Sequence, residues 1–352
     1  GYSSAASDVY KRQLRGNVMK IAIDAFGGDD APGAMLEGCC KALSDSDDFD
    51  IIITGDETLV SNGLKTLGCN SSRIEIVHAP MVISCEEQPT IAIKRKKDSS
   101  LVKALELVAN GGADAFVSAG STGAVLAGAT LIVRRINGVK RPALAPILPT
   151  VKGPVLLIDC GANVDCKPQY LQQFAIMGSA YMQNVMGILE PRVGLINNGA
   201  EEEKGNELTK AAFKLIKETP INFMGNCEAR DILTGEYDVL VCDGFIGNVV
   251  LKYTEGVASA LVSMMKEELM RDIGSKLGAM LAKNGFRRFK KRMDYTEYGG
   301  APLLGINGGI IKAHGSSNGK AIAAAIDQAR HYCLGDVTEA IRISMSAING
   351  DD

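Results

Sequence analysis

The chain has 352 residues, of which 38 are Lys or Arg and 41 are Asp or Glu, so its formal net charge is −3 at pH 7. This near-balance argues against a general nucleic-acid-binding protein, whose surface must offset the phosphate charge. Its 46% hydrophobic and 22% charged residues are typical of a folded globular protein and exclude a disordered chain.

Residues 1–18 differ from the rest of the chain and lack the apolar core of a secretory signal peptide. We expect them to be a tag, an adaptor or a mis-assigned start; a transit peptide is the alternative. The sequence from Met19 is typical of a first strand. We expect a single α/β domain over 19–340 and a C-terminal tail over 341–352.

From Met19 onward, short apolar runs alternate with stretches of helical periodicity. The apolar runs predict strands at 20–24, 50–54, 73–77, 114–118, 155–159, 192–196 and 238–243. The periodic stretches predict helices at 31–43, 56–67, 98–109, 121–136, 169–189 and 206–218. Several runs are apolar throughout, as strands covered on both faces are. The alternation predicts a Rossmann-like α/β/α protein with three layers and a mostly parallel sheet.

The last third of the chain has a different pattern. A long helix is predicted at about 248–272, followed by a basic amphipathic region at 276–293. The apolar phase of that region shifts at Asn284-Gly285, which predicts two short helices with a break. A Gly-rich stretch and a last helix at about 317–334 follow. We expect 256–298 to be a helical excursion that protrudes from the α/β body.

Glycines and small polar residues follow five of the predicted strands. Because the carboxyl ends of parallel strands share one edge, these loops should meet there, and the helices that begin there favour an anion. Each glycine taken singly is also explained by ordinary turn chemistry. The predicted anion-binding cleft comprises Gly120, Ser121, Thr122, Gly123, Asp159, Asn163, Asn198, Gly205, Asp243, Gly244, Gly247 and His314. For His314, a structural role in its loop is an equally good interpretation.

The usual nucleotide and metal signatures are absent from the sequence. No G-x-G-x-x-G opens the first helix, and Gly315–Lys320 is one residue shorter than a P-loop and is followed by Ala321. None of the three His has a His or Cys at zinc-ligand spacing, and there is no C-x-x-C pair. The nine Cys are too few for a disulfide scaffold and fit a reducing cytoplasm. We therefore expect inorganic phosphate or a phosphate ester as the anion, with no metal.

Two residues are candidates for catalysis. Lys204 lies at a predicted helix start and could hold phosphate as a point charge, or could be solvated beside its three acidic neighbours. Asn248 opens the long helix and could donate to an oxyanion, or could be an N-cap. The cysteines near these loops are better explained as buried core residues than as nucleophiles, since no His is close in sequence. Those cysteines are Cys160, Cys166, Cys227 and Cys242.

Two basic segments complete the pattern. The residues at 94–97 precede a predicted helix start. The second segment, 283–293, has apolar residues spaced by three and four along one helix face, with cations around them. Such a helix suits an anionic membrane surface, and packing on a partner subunit is the alternative. The membrane candidates are Phe286, Phe289, Met293, Arg287, Arg288, Lys290 and Lys291.

Taken in order, these motifs resemble the bacterial phosphate acyltransferase (PlsX) family of phospholipid synthesis. The resemblance extends from Met19 to about Arg330, and Phe26 stands where the family pattern has Met. It rests on IAIDAFGGDDAP (21–32), KRKKDSS (94–100), SAGSTGA (118–124), LIDCGANVDCKP (157–168), EEEKGNELTK (201–210), GNCEARDI (225–232), VCDGFIGNVVLK (241–252), YGGAPLLGI (298–306) and KAHGSS (312–317).

The resemblance implies a reaction and a setting. Acyl-[acyl carrier protein] and inorganic phosphate would give acyl phosphate and free carrier protein, an early step of phosphatidic acid synthesis. The implied fold is shared with phosphotransacetylases and isocitrate-type dehydrogenases. The family also implies a homodimer, a cytoplasmic enzyme with peripheral membrane contact, no cofactor, and a downstream glycerol-3-phosphate acyltransferase. We assign phosphate binding to Lys204, orientation of an oxygen to Asn248, the carrier protein to 94–97 and lipid to 283–292.

Three other functions are compatible with parts of this pattern. A short-chain phosphotransacylase would use the same fold and phosphate chemistry on coenzyme A thioesters. A non-catalytic membrane-bound scaffold would bind lipid without forming acyl phosphate. An NAD-dependent decarboxylating dehydrogenase is less well supported, because the sequence has no evident metal-binding aspartates at helical spacing.

Overall fold

The computed structural model describes residues 18–293 and 299–349. The strands of this part are β1 (Met19–Asp24), β2 (Phe49–Gly55), β3 (Ile74–His78), β4 (Ala115–Ser118), β5 (Ala143–Leu144), β6 (Ile147–Pro149), β7 (Pro154–Ile158), β8 (Val193–Asn197), β9 (Phe223–Glu228), β10 (Val239–Val241), β11 (Ala301–Leu304) and β12 (Gly309–Lys312). Its helices are α1 (Gly33–Asp45), α2 (Glu57–Thr66), α3 (Pro89–Arg95), α4 (Ser100–Ala109), α5 (Thr122–Gly128), α6 (Pro168–Met186), α7 (Glu207–Lys217), α8 (Gly244–Leu269), α9 (Ile273–Met293), α10 (Gly319–Leu334) and α11 (Val337–Asn349).

The strands form two sheets. The first has seven strands in the order β3-β2-β1-β4-β12-β11-β5, and the second has five in the order β6-β7-β10-β8-β9. Most neighbours are parallel; the antiparallel pairs are β11–β12, β5–β11 and β6–β7. The predicted α/β class with mostly parallel strands is confirmed, but its strands are divided between two sheets. The sequence patterns missed β5, β6, β9, β11 and β12, of which two have only two or three residues.

Helices cover both faces of the first sheet. In β1, Ile21 and Ile23 belong to one buried cluster, which includes residues of α1 and α10. The intervening Ala22 belongs to a second cluster, formed with α4 and α5. Side chains of successive strand residues point to opposite faces, so this alternation places one helical layer on each side of the sheet. Because helices cover both faces of the sheet, its strands are apolar throughout, as the sequence predicted.

Helices α8 and α9 form a long hairpin with many exposed apolar side chains. Tyr253 is 72% exposed and Leu281 is 89% exposed. Helix α9 is continuous from Ile273 to Met293, so the predicted break at Asn284-Gly285 is wrong. A glycine inside a helix costs only about 1 kcal/mol relative to alanine, which does not suffice to interrupt it. Across the described ranges, we find no helix with both the length and the apolarity needed to span a bilayer.

The C-terminal segment continues the packed body. Helix α11 packs against α6, and its Ile341 and Met345 are buried. Residues 341–349 were expected to be part of a C-terminal tail, and the structure shows that they are helical. Residues 1–17 of the expected leader and 294–298 of the helical excursion lie outside the described residues.

Candidate active site

A cavity of about 290 Å³ lies between the two sheets, at the carboxyl ends of their central strands. Its walls come from the segments that follow β4, β7 and β12, from the start of α8, and from β5 and β6. The side chains that contribute polar groups are Thr122, Asn248, Lys252, Glu255, Lys312 and His314. The apolar part of the wall is formed by Leu144, Pro146, Ile147 and Leu251. The predicted meeting of strand-end loops thus brings Thr122, Asn248 and His314 to one hollow.

A buried carboxylate fixes the loops of the first sheet. Asp24 ends β1, and its Oδ2 accepts a hydrogen bond from Ser118 Oγ at 2.7 Å. Ser118 Oγ in turn accepts from the Gly120 N–H at 2.9 Å. A Cβ on Gly27 would lie 2.6 Å from both the Gly120 nitrogen and Ser118 Oγ. Glycine is therefore needed here because the two loops pack closely, and this packing positions the start of α5.

The predicted phosphate ligands Asp159 and Asn163 form a second fixed loop. Asp159 is 0% exposed, and its carboxylate accepts from the Asn163 N–H at 2.6 Å and the Leu144 N–H at 2.8 Å. Asn163 Nδ2 donates to Asp159 Oδ2 at 3.0 Å and to the Pro142 carbonyl at 2.8 Å. Burial raises the pKa of Asp159 to about 6, against these hydrogen bonds that lower it. Both side chains are engaged beneath the cavity and shape the loop that carries Gly161.

Helix α8 begins against that loop. Asp243 Oδ1 accepts from the Ile246 N–H at 2.8 Å, so Asp243 is the N-cap and Asn248 is not. The Gly244 N–H donates to the Asn163 carbonyl at 2.7 Å. A Cβ on Gly247 would collide with the Asp159 carbonyl oxygen and lie 2.9 Å from its carbon. The glycines permit this close approach, which places Asn248 beside Gly161 at the cavity wall.

His314 follows β12 and lines the cavity. Its Nδ1 accepts a hydrogen bond from the Ser316 N–H at 3.3 Å and lies 2.9 Å from Ser316 Oγ. Because Nδ1 accepts this hydrogen bond, the ring carries a proton on Nε2, and that atom is left as a donor.

Lys312 is a cavity residue that the sequence analysis did not identify. It ends β12 and is only 8% exposed, and its Nζ donates to the carbonyls of Ala119 (3.3 Å) and Ala313. Burial lowers the pKa of Lys312 to about 8. The available signal was a lysine directly after the apolar run of a strand, a position where burial of its side chain is expected.

The loop after β8 lies outside the cavity wall. Lys204 is exposed, its stem crosses Gly199, and its carbonyl accepts from Asn197 Nδ2 at 3.1 Å. Asn198 is exposed, and Gly205 has a φ of +104° that favours glycine. The cavity-lining residues do not include Lys204, Asn198 or Gly205. Their part in binding stays a prediction.

The remaining predicted residues are distributed as follows. Ser121 precedes α5 without a side-chain capping bond, and Gly123 packs on Pro89 of α3. Phe289 lies in an apolar groove between α8 and α9. Phe286 is half-buried, and Arg287 and Arg288 are exposed. The side chains of Lys290, Lys291 and Met293 lie outside the described residues.

Three of the four cysteines near the loops are core residues, and the fourth, Cys166, is half-buried. Cys160, Cys227 and Cys242 are buried, and burial raises the pKa of the Cys227 thiol to about 12. A thiol with a raised pKa stays protonated at neutral pH and is a poor nucleophile. Among 18–293 and 299–349, no three His, Cys, Asp or Glu side chains group as a metal site would require.

Comparisons with known proteins identify the family. A family model described as fatty acid synthesis protein matches residues 19–340. The phosphate acyltransferase of Clostridium botulinum (strain ATCC 19397 / Type A) is 56% identical over 312 residues, covering 89% of this chain and 93% of that protein. The chain belongs to this family, the phosphate acyltransferases. The family member from Clostridium acetobutylicum is 52% identical over 331 residues, covering 94% of this chain and 100% of that protein.

The resemblance of the sequence motifs to the phosphate acyltransferase family is thereby confirmed. The solved structure of the EutD phosphotransacetylase from Staphylococcus aureus covers 96% of this chain and 99% of its own, with a TM-score of 0.58. At 19% identity this similarity shows the fold alone. It confirms the phosphotransacetylase-like architecture expected for the family.

Proposed function

We propose that the protein transfers the acyl group of an acyl-[acyl carrier protein] to inorganic phosphate, giving acyl phosphate and free carrier protein. The observation that supports it is the cavity between the sheets, which combines polar donors with an apolar wall. Thr122, Asn248 and His314 supply polar groups, and Lys312 supplies a cation, while Lys252 and Glu255 form an ion pair in the wall. An acyl thioester and a phosphate require this pairing of an apolar surface with groups that bind an anion.

The chemistry needs little acid or base help. An oxygen of the HPO₄²⁻ dianion attacks the thioester carbonyl, and a C–O bond forms. The tetrahedral intermediate then breaks its C–S bond, and the proton of the phosphate passes to the departing sulfur. A substantial fraction of phosphate is the dianion at neutral pH, and a thiolate with a conjugate pKa of about 8.5 leaves readily. The protein therefore acts mainly by positioning and by stabilising the oxyanion.

Asn248 and Lys204 have separate roles in this proposal. The Asn248 amide, held at the cavity wall by the close packing of α8, orients the phosphate or the carbonyl oxygen. Lys204 follows β8, which pairs with β10, and α8 begins directly after β10. Neighbouring strand ends lie about 4.8 Å apart, so the Lys204 loop adjoins the start of α8. We assign Lys204 to the phosphate and to the negative charge that develops in the transition state.

A long acyl chain must extend beyond a cavity of about 290 Å³. The face of α8 that bears Asn248, Leu251 and Glu255 continues, at the spacing of one helix face, to Ala258 and Val262. There the structure has a largely apolar groove of about 450 Å³ between α8 and α9. We propose that the chain follows this face, alone or covered by a second copy of α8.

The exposed apolar hairpin also supports a homodimer with peripheral contact to the cytoplasmic face of an anionic membrane. Large exposed apolar surfaces mark sites where a protein binds another protein or a membrane. We assign the basic part of α9 to lipid, and we assign Lys94, Arg95 and Lys97, which are exposed on or just after α3, to the acidic carrier protein. The acyl phosphate would pass to a glycerol-3-phosphate acyltransferase at the same membrane.

The test is to trap the product. Purified protein is incubated with long-chain acyl carrier protein and phosphate, and mass spectrometry measures the acyl phosphate while a thiol reagent measures the free carrier protein. We expect the two products in equal amounts, and both only when the protein and phosphate are present. Product from short-chain coenzyme A thioesters alone would support a phosphotransacylase instead. Lipid binding without product from any thioester would support a scaffold.

The membrane assignment is tested separately. Charge reversal at Arg287, Arg288, Lys290 and Lys291 should abolish sedimentation with anionic vesicles while turnover in detergent-free solution is kept. Lost turnover with intact vesicle binding would show that this segment serves the carrier protein or the dimer.

A further inference from the structure

One buried cation of the cavity has no anionic partner in the described chain. Lys312 is the last residue of β12, and its 8% exposure confines the ammonium to the cavity wall. An ammonium has three N–H donors, and the Ala119 and Ala313 carbonyls accept two of them. One donor is left for a ligand in the cavity.

The groups that face Lys312 do not neutralise it. They are Cys85 before α3, Asp24 at the end of β1, Asp29 in the segment that follows, and Lys252 on α8. Asp24 is occupied by Ser118 and is itself buried, which raises the pKa of its carboxyl. Lys252 pairs with Glu255 at 2.9 Å. Over 18–293 and 299–349, no carboxylate oxygen lies within the 4.0 Å of an ion pair with Lys312 Nζ.

A buried cation without a counter-ion is unfavourable, and proteins usually pair such a charge or let it lose its proton. Beside Lys312, the polar part of the cavity consists of Thr122, Asn248 and His314, and of Lys252 and Glu255, whose charges pair with each other at 2.9 Å. A dianion in the cavity would therefore supply the missing charge. A thioester carbonyl, which is neutral, would not.

We propose that Lys312 is the buried counter-ion of the substrate phosphate, which it binds through its third N–H. This inference rests on the proposed function and names the residue that holds one of its two substrates. Lys312 lines the cavity, whereas Lys204 is not among the residues of its wall. A bound dianion stabilises the ammonium, so the lowered pKa of Lys312 rises again when phosphate binds.

The test measures phosphate binding alone, without thioester. Inorganic phosphate is titrated into the full chain by isothermal calorimetry, for wild type, Lys312→Met and Lys312→Arg. We expect Lys312→Met to weaken binding by about 10- to 100-fold, the usual worth of a charged hydrogen bond, and Lys312→Arg to retain part of it. Lys41→Met, which removes a surface cation paired with Asp45, should bind as wild type does. Unchanged affinity in Lys312→Met, or no phosphate binding by wild type, would overturn the proposal.

A second measurement uses the wild-type chain only, in case Lys312→Met does not fold. Well above pH 8, free phosphate is almost entirely the dianion. A proton that is taken up from solution when phosphate binds must therefore be bound by a group of the protein. We expect proton uptake near pH 8.5. It is detected as a heat of binding that changes with the ionisation enthalpy of the buffer. The variant Cys85→Ser should show the same proton uptake as wild type. Binding without uptake in this range would contradict the proposal. Wild type that binds phosphate yet forms no acyl phosphate would refute the proposed function and leave this inference standing.

Discussion

The contact between Gly247 and the Asp159 backbone is the sharpest structural constraint on the site. A Cβ at residue 247 would lie 2.9 Å from the Asp159 carbonyl carbon, 3.0 Å from Cys242 Sγ and closer still to the Asp159 oxygen. The obstacle is mainly backbone, so the helix must move by about 1.5 Å to restore ordinary contact. Alanine gains about 1 kcal/mol over glycine from helix propensity, whereas overpacking costs about 3 kcal/mol or more. The steric cost is larger, and Gly247→Ala should lower the free energy of unfolding by about 2 kcal/mol.

The activity should fall further than the stability, because Asn248 is the next residue. A displacement of about 1 Å can reduce a rate by about a hundredfold, so kcat should fall by that factor at temperatures where the variant is folded. The matched control is Gly256→Ala in the same helix, where a Cβ meets no atom within 4 Å. It should unfold at equal or higher denaturant concentration than wild type. Equal unfolding curves and equal kcat for both variants would refute the argument that this contact positions Asn248.

Three other changes test separate parts of the structure. Lys204→Ala should lower kcat by about a hundredfold while the denaturation curve is unchanged, and an unchanged kcat would remove Lys204 from the mechanism. Burial raises the pKa of Asp159 to about 6, so the folded state prefers the neutral carboxyl. Wild type should therefore lose stability relative to Asp159→Asn as the pH rises from about 4 to 6, when stability is measured as the free energy of unfolding. If wild type instead gained stability relative to Asp159→Asn over this range, the pKa of Asp159 would be lowered in the folded state and not raised. Hydrogen bonding to Asp327 raises the pKa of His331, so the pair stabilises the fold below about pH 6.5 and less as the pH rises through the raised value. Asp327→Asn should lower the pKa that NMR reports for the His331 ring, and an unshifted titration would exclude the pair as its cause.

The order of strands and helices was predictable because burial on both faces leaves continuous apolar runs. The seven predicted strands all occur, with shifts of a few residues at their ends. The division into two sheets was not predictable, since β5 and β6 are too short to show a period. Strands β11 and β12 lie in a Gly-rich stretch, where glycines that allow close packing, such as Gly309 against Tyr332, obscure the strand pattern.

The site was only partly predictable for a related reason. Strand-end position correctly brought Thr122, Asn248 and His314 together, because topology alone determines which loops meet. The same argument cannot tell a side chain that faces the cavity from one that holds the loop, and Asp159 is of the second kind. Lys312 was missed because β12, the strand that it ends, was not predicted in the Gly-rich stretch.

The central claim is that the cavity between the sheets is where an acyl group passes to phosphate. The most direct test is the initial rate of phosphate-dependent thiol release from acyl carrier protein, compared between wild type and Asn248→Ala. The account predicts a loss of about a hundredfold or more in kcat for Asn248→Ala, with an unchanged unfolding transition. An equal rate in the two proteins, or thiol release by wild type that does not depend on phosphate, would contradict it.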